Sequence, residues 1–390
     1  MLDKESFSSF AENIYIETYK KAAAVVYSLC GGDEALRKIY GKEKDSKFFL
    51  IILNINMYNN YAVKSLYEIY LKTKKYEIKE TVLDSLNEIS EKEGLSIDDL
   101  CLKYRANFGF DARGEKVIDN NYKLILNNDC SVNVFDIKNN KVLKSVPKDL
   151  SKSIKDEIKY LKKEIQNIIK KLSINLTTLL IYEKKYHYSF FKEVFIDNPI
   201  MNKFSSSLVW NLYDKDNNFI TLFRYTNDGS YSNADDEEIQ INKDGFISLA
   251  SPAEMDEETI SKWKQQLEDY EISQTINQLP VIKLDKNNLI NEIAKLQNAE
   301  IAYGTFKSFG ARYSMIASYI GCSIIGDYYL ELDNGDYFNI SINTDEYVDY
   351  RDKVKINIKF SNTDNKKASD RFVYGLLMLM IWDFRLTELF

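Results

Sequence analysis

Residues 153–186 read SIKDEIKYLKKEIQNIIKKLSINLTTLLIYEKKY, and this stretch decides how the rest of the chain is read. Ile154, Ile158, Leu161, Ile165, Ile168, Leu172, Leu176 and Leu179 step by threes and fours, which gathers them into one apolar stripe of an α-helix. The spacing predicts a helix over 153–186. Its other face carries Lys152, Lys155, Lys159, Lys162, Lys163, Lys170 and Lys171 against only Asp156, Glu157 and Glu164. Such a row reads first as a solvated face and second as a binding surface.

Working outward, the pattern changes on both sides. Upstream, 122–126, 131–135 and 141–146 are short runs parted by Asn127-Asn128-Asp129 and Lys138-Asn139-Asn140, the composition of hairpin turns. Before them, 7–102 is helical in period: Leu66, Ile69 and Tyr70 share a face, as do Val82, Leu86 and Ile89. Gly31-Gly32-Asp33 and Gly41 interrupt this region as helix termini do, and Ser96-Ile97-Asp98-Asp99 reads as a helix cap. Two or three helical hairpins, repeat-like, are expected there.

Downstream, strands are expected at 208–213, 219–226, 238–241 and 246–249, with turns at 214–218 and at Asn227-Asp228-Gly229. Helices are expected at 256–268, 287–298 and 311–320, then strands at 324–332, 337–342 and 354–360, and a closing helix over 371–386. The fold class is therefore α+β: a helical N-terminal region followed by a mixed α/β body with mainly antiparallel sheets. The expected domains are 1–102, 103–280 and 281–390.

The chain has 390 residues, 45% hydrophobic and 28% charged, enough to bury cores without a disulfide or a metal. A net charge of −7 counts against a broad nucleic-acid surface, which needs clustered Lys and Arg. Cys30, Cys101, Cys130 and Cys322 form no CxxC pair, as expected of reduced thiols in the cytoplasm. Residues 1–10 include Asp3, Lys4 and Glu5 and lack the apolar core of a signal peptide. The apolar run at 373–382 falls short of the roughly 20 residues a bilayer requires, so no membrane association is expected.

Catalytic vocabulary is sparse. His187 is the single histidine, so a triad or a histidine-rich zinc site would each depend on it; beside Tyr186 and Tyr188 it reads as a packing or C-terminal capping residue. Glycine-rich phosphate loops and a GxSxG elbow are missing, and neither cofactor nor metal is expected. Asp235-Asp236-Glu237-Glu238 reads as a solvated turn before it reads as a cation site.

The remaining candidates for a ligand site are Arg224, Asp269, Tyr270, Glu271, Gln274 and Gln278. Strand alternation sets Arg224 opposite Phe223 and Tyr225. A buried arginine stays charged and needs a carboxylate, for which Asp269 and Glu271 are the candidates. The loop polar residues form either a buried hydrogen-bond network or a pocket. Trp210 and Trp263 read as core aromatics.

Several phrases, in order, resemble the bacterial molybdate-metabolism-regulator-like (MolR-like) family, a domain of unknown function associated with WGR modules. They are Asn107-Phe108-Gly109-Phe110-Asp111, Val146-Pro147-Lys148, Leu161-Lys162-Lys163, Pro199-Ile200-Met201 and Leu208-Val209-Trp210. Phe223-Arg224, Asp228-Gly229, Trp263 with Asp269-Tyr270-Glu271, and Gln274 with Gln278-Leu279 complete the series, over 83–390. The chain departs from that pattern at Asn198 and Ser251, where the family carries histidine, and at Ser206-Ser207, where it carries a basic pair. The resemblance implies no established reaction.

The expected function is a non-catalytic binding or regulatory module for a protein partner or small ligand. The alternatives are an enzyme built on carboxylates and Arg224, and a nucleic-acid-linked stress or conflict-system component acting through the lysine face.

Overall fold

The computed structural model describes residues 3–43, 46–73, 75–105, 107–226, 228–279, 282–320, 324–344, 347–363 and 367–390. Asn227 and Cys322 fall outside these. The chain divides into two compact units, Met1–Asp111 and Ala112–Phe390.

The first unit is helical: α1 (Lys4–Thr18), α2 (Lys21–Cys30), α3 (Gly32–Glu43), α4 (Lys47–Ile55), α5 (Asn60–Lys72), α6 (Tyr76–Glu93) and α7 (Ile97–Lys103). Side-chain caps start four of them, Asp3 on α1, Ser46 on α4, Asn59 on α5 and Ser96 on α7, each accepting from backbone N–H groups of the first turn. Leu36, Ile52, Leu53, Leu66, Val82, Leu86 and Ile89 form their shared core.

The second unit opens with a meander, β1 (Glu115–Val117), β2 (Tyr122–Leu126), β3 (Val132–Asp136) and β4 (Lys141–Leu143), paired antiparallel in that order. Helix α8 (Lys152–Thr178) follows, capped by Ser151, with Ile158, Leu161, Ile165, Ile168, Leu172 and Leu176 buried. It stops short of Tyr186 because Leu179, Leu180 and Ile181 are all buried. Three consecutive residues cannot share one helical stripe, so the chain turns to bury them.

The second sheet is assembled from β5 (Tyr186–His187), α9 (Tyr188–Phe191), α10 (Pro199–Ser205), β6 (Trp210–Tyr213), β7 (Phe219–Tyr225), β8 (Tyr231–Ser232), β9 (Phe246–Leu249) and α11 (Glu257–Asp269). Its strand order is β5-β9-β6-β7-β8, antiparallel throughout. One π-helical turn, Lys192–Ile196, links α9 to α10. His187 accepts from Ser189 N–H as the N-cap of α9, rather than closing a helix C-terminus. Residues 238–241, expected as a strand, hold one bridge, Glu238 to Ser232.

The remainder comprises α12 (Leu289–Leu296), β10 (Glu300–Ala302), α13 (Tyr303–Arg312), β11 (Ile316–Ile320), β12 (Ile324–Glu331), β13 (Asp336–Ile342), β14 (Lys353–Asn362) and α14 (Asp370–Phe384), with sheet order β10-β14-β13-β12-β11. The helix expected at 311–320 lies earlier, as α13, and 316–320 is strand. Gly310 explains the placement of α13. A Cβ there would stand 2.4 Å from the Tyr328 ring, so only glycine lets the helix backbone lie on that ring. The class is α+β. No helix among the described residues is long and apolar enough to cross a membrane.

Candidate functional site

The second sheet is covered on both faces, and the cover on each face decides the chemistry of β7. Phe223 points into an aromatic cluster, its ring 6.1 Å from Phe191 and 5.6 Å from Tyr231. Arg224 points the other way, towards α11. It is 3% exposed. Its Nε donates to Gln266 Oε1 at 3.2 Å, and the guanidinium carbon lies 5.4 Å from the centre of the Tyr270 ring.

Gln266 is the hub. Its Nε2 donates to the Asn233 carbonyl at 2.8 Å and to Asp236 Oδ1 at 2.7 Å. By hydrogen bonds Arg224 thus reaches Asp236 only through a neutral amide, although the two charges also act on each other through space. Among the described residues no carboxylate forms an ion pair with Arg224, and its remaining N–H donors have no protein acceptor. Burial pushes the guanidinium down from its ordinary value, while Asp236, Tyr270 and Asp228 oppose that shift. Ser232, the cross-strand neighbour of Arg224, has a buried hydroxyl with no hydrogen-bond partner.

The carboxylates expected to pair with Arg224 lie elsewhere. Asp269 is exposed at the end of α11 and accepts from Gln265 at 2.8 Å. Glu271 is exposed, with φ of 53°. Neither lies where the pairing argument placed it, because α11 ends at Asp269 and the turn that follows carries Glu271 into solvent as well. Tyr270 between them is 55% exposed and covers the guanidinium.

Gln274 and Gln278 do something different. Gln278 is fully buried: Oε1 accepts from Val209 N–H at 2.9 Å and Gln274 Nε2 at 3.0 Å, and Nε2 donates to the Val209 and Ala250 carbonyls at 2.6 and 2.8 Å. Every valence of that amide is used, so it serves as a stitch between the 274–279 loop and the sheet. Gln274 also donates to the Ser207 carbonyl at 3.1 Å and accepts from Leu279 N–H at 3.1 Å.

A second buried arginine is held by more partners, although its Nε is itself buried without one. Arg371 donates through Nη1 to both oxygens of Glu254, at 2.8 and 2.9 Å, and through Nη2 to the carbonyls of Leu179 and Leu249, at 2.5 and 2.9 Å. It ties α14 to the end of α8 and to β9. Sequence reasoning missed it, although a charge at the head of an apolar run was the available signal. Gln266 was missed too; its signal is position, since Trp263, Gln266 and Leu267 share the buried stripe of α11.

A pocket of about 470 Å³ lies between α8, the Ser251–Pro252 turn, α13 and α14. Ile169, Ile174, Met378, Leu379 and Trp382 supply apolar wall, and Lys170, Arg312 and Asp383 supply charge. Asp235–Glu238 has the expected character of a turn, with Asp235 exposed and 3.0 Å from Lys262. No group of three or more His, Cys, Asp or Glu that could hold a metal occurs among the described residues. Trp210 and Trp263 are both fully buried.

An α+β body with one buried arginine in an ion pair and another without one is thus the class of protein in hand. Residues 141–293, which contain α8, the second sheet and α11, match a family described as "Domain of unknown function (DUF4132)". The chain is similar to the uncharacterized protein YehI of Escherichia coli (strain K12), at 27% identity over 251 residues, 61% of this chain and 21% of that protein. The chain therefore matches only that minor part of its relative. No solved structure matches it. These findings correct the resemblance to molybdate-metabolism regulators: neither match carries a regulator or WGR description. Phrases such as Leu208-Val209-Trp210 are core triplets and Asp228-Gly229 is a turn, patterns that packing alone selects.

Proposed function

We propose that this chain is a non-catalytic recognition module of the cytoplasm that binds an anionic group, a carboxylate or phosphate, on Arg224. The observation that carries the reading is a residue only 3% exposed whose terminal N–H groups meet no protein acceptor and keep contact with solvent. Removing a charge from water costs several kcal/mol, roughly, even after relaxation. Against that, one hydrogen bond from a charged donor returns about 1.5–3 kcal/mol, and a ring contact about 1–2 kcal/mol. An arginine fork matches two anionic oxygens in one plane, which a ligand supplies and Gln266 does not.

Tyr270, exposed and stacked over the guanidinium, is the movable cover, and Gln266 holds Nε so that the two terminal nitrogens face the incoming anion. The ligand is a small molecule or the acidic side chain of a protein partner. A buried free thiol at Cys130 supports the cytoplasmic setting.

Calorimetric titration with inorganic phosphate and with acetate, at constant ionic strength, tests this. Saturable heat in the wild-type chain that Arg224→Met lacks supports the proposal. Equal heats in both proteins, or none in the wild type, overturn it.

A further inference from the structure

We infer that the pocket between α8, α13 and α14 binds an uncharged ligand with an apolar, ring-sized body and a carboxamide-like edge, one hydrogen-bond donor beside one acceptor. This site is separate from Arg224 and does not depend on the reading of it.

The pocket volume of about 470 Å³ lies within the range of small-molecule sites, about 300–1,000 Å³. Ile169, Ile174, Met378 and Leu379 give it an aliphatic wall, and Trp382 stands at its edge 58% exposed. An exposed tryptophan beside an aliphatic hollow offers a stacking face for a planar body.

Ser173, Thr177, Ser251 and Asn277 add uncharged polar groups to the wall, and the buried charge comes from one pair. Arg312 Nη1 donates to Asp383 Oδ1 at 2.5 Å. The Asp383 side chain is only 9% exposed, yet its Oδ2 is buried with no hydrogen-bond partner. Arg312 is 45% exposed, and Tyr313 on the same wall contacts both Arg312 and Asp383, which leaves the remaining guanidinium N–H groups to solvent and the pocket. An unpartnered acceptor therefore stands next to a solvent-facing donor group. A carboxylate's terminal torsion is soft, so a small rotation turns the unpartnered lone pairs towards the pocket while Arg312 keeps its contact.

Charge arithmetic selects the ligand class. Arg312 and Asp383 already neutralise each other, and Lys170 adds one positive charge to the wall. A cationic ligand at Asp383 would add charge beside Arg312 and Lys170. An anionic ligand at Arg312 would face the bare Asp383 oxygen. An uncharged donor–acceptor edge satisfies both partners without stranding a buried charge. A carboxamide does this with N–H towards Asp383 and C=O towards Arg312.

The test is equilibrium dialysis of the full chain against four probes of one shape: 2-naphthamide, 2-naphthoate, 2-naphthylmethylamine and 2-methylnaphthalene. The expected order places 2-naphthamide at least tenfold tighter than the other three, the equivalent of one satisfied buried acceptor. Asp383→Asn puts an N–H where the open acceptor stood and removes that advantage, leaving 2-methylnaphthalene unchanged. If Asp383→Asn does not fold, Arg312→Gln, on a half-exposed side chain, is read the same way. Tightest binding by the naphthoate or the amine, or a naphthamide preference that survives both variants, overturns the proposed edge. Failure of all four probes to bind overturns the pocket itself, with no bearing on Arg224.

Discussion

Replacing each buried arginine by methionine, which keeps length and removes charge, should give opposite outcomes. At Arg371 the change strips a charged donor from the carbonyls of Leu179 and Leu249, both inside the second unit. Glu254 is exposed and rehydrates, so its loss adds little. Two hydrogen bonds from a charged donor, counted with the stranded acceptors, give a loss of about 3–5 kcal/mol. For a unit of this size that is a fall in melting temperature of roughly 10 °C. At Arg224 the change strands only Gln266 Oε1, a cost of about 1–3 kcal/mol, and it relieves a desolvated charge of similar magnitude. Arg224→Met should therefore stay within about 1 kcal/mol of the wild type, or exceed it. Thermal and urea melts of both variants, followed by circular dichroism, decide the matter. A loss at Arg224 as large as that at Arg371 would refute the claim that its charge is uncompensated.

Three other outcomes follow from the same structure. Gln278→Leu strands the Val209 N–H and removes a donor from the Val209 and Ala250 carbonyls, the first of which keeps Ala250 N–H, and should cost about 3 kcal/mol in a urea melt. Gly310→Ala gains about 1 kcal/mol of helix propensity but drives a methyl group into the Tyr328 ring, so a net loss of about 1–2 kcal/mol is expected. Asp336 is buried; although burial pushes its carboxyl up, hydrogen bonds from Ser369, Asn362 and Asn334 hold it below the usual range. A depressed carboxylate stabilises the fold above its unfolded value, about 3.9, and that contribution fades as pH falls through the folded value. Asp336→Asn should thus be clearly less stable than the wild type at pH 7, with the gap narrowing below about pH 4; a constant gap would contradict this.

The sequence was legible where one element buries one face. The stripe of α8 and the alternation of β12, β13 and β14 announced themselves, and Arg224 could be set opposite Phe223 by counting twos. It was not legible where burial is contributed from far along the chain. Leu179–Ile181 ended α8 because three adjacent apolar residues outran the helical period. Gln266, not a carboxylate, met Arg224, since α11 lays its Trp263–Gln266–Leu267 stripe over β7 while Asp269 and Glu271 turn outward. The pocket draws on α8, α13 and α14, with lining residues from Ile169 to Asp383, and no local pattern encodes that closure. Arg371 hid in the same way, its acceptors lying on residues 179 and 249.

The central claim is that Arg224 lacks an anion, and the melting temperature as a function of added phosphate tests it most directly. Binding to the folded state alone stabilises by RT ln(1 + [L]/Kd), about 2.7 kcal/mol at a hundredfold excess over Kd. The wild type should rise along that curve at fixed ionic strength, and Arg224→Met should give a flat line. Identical curves for the two proteins would contradict it.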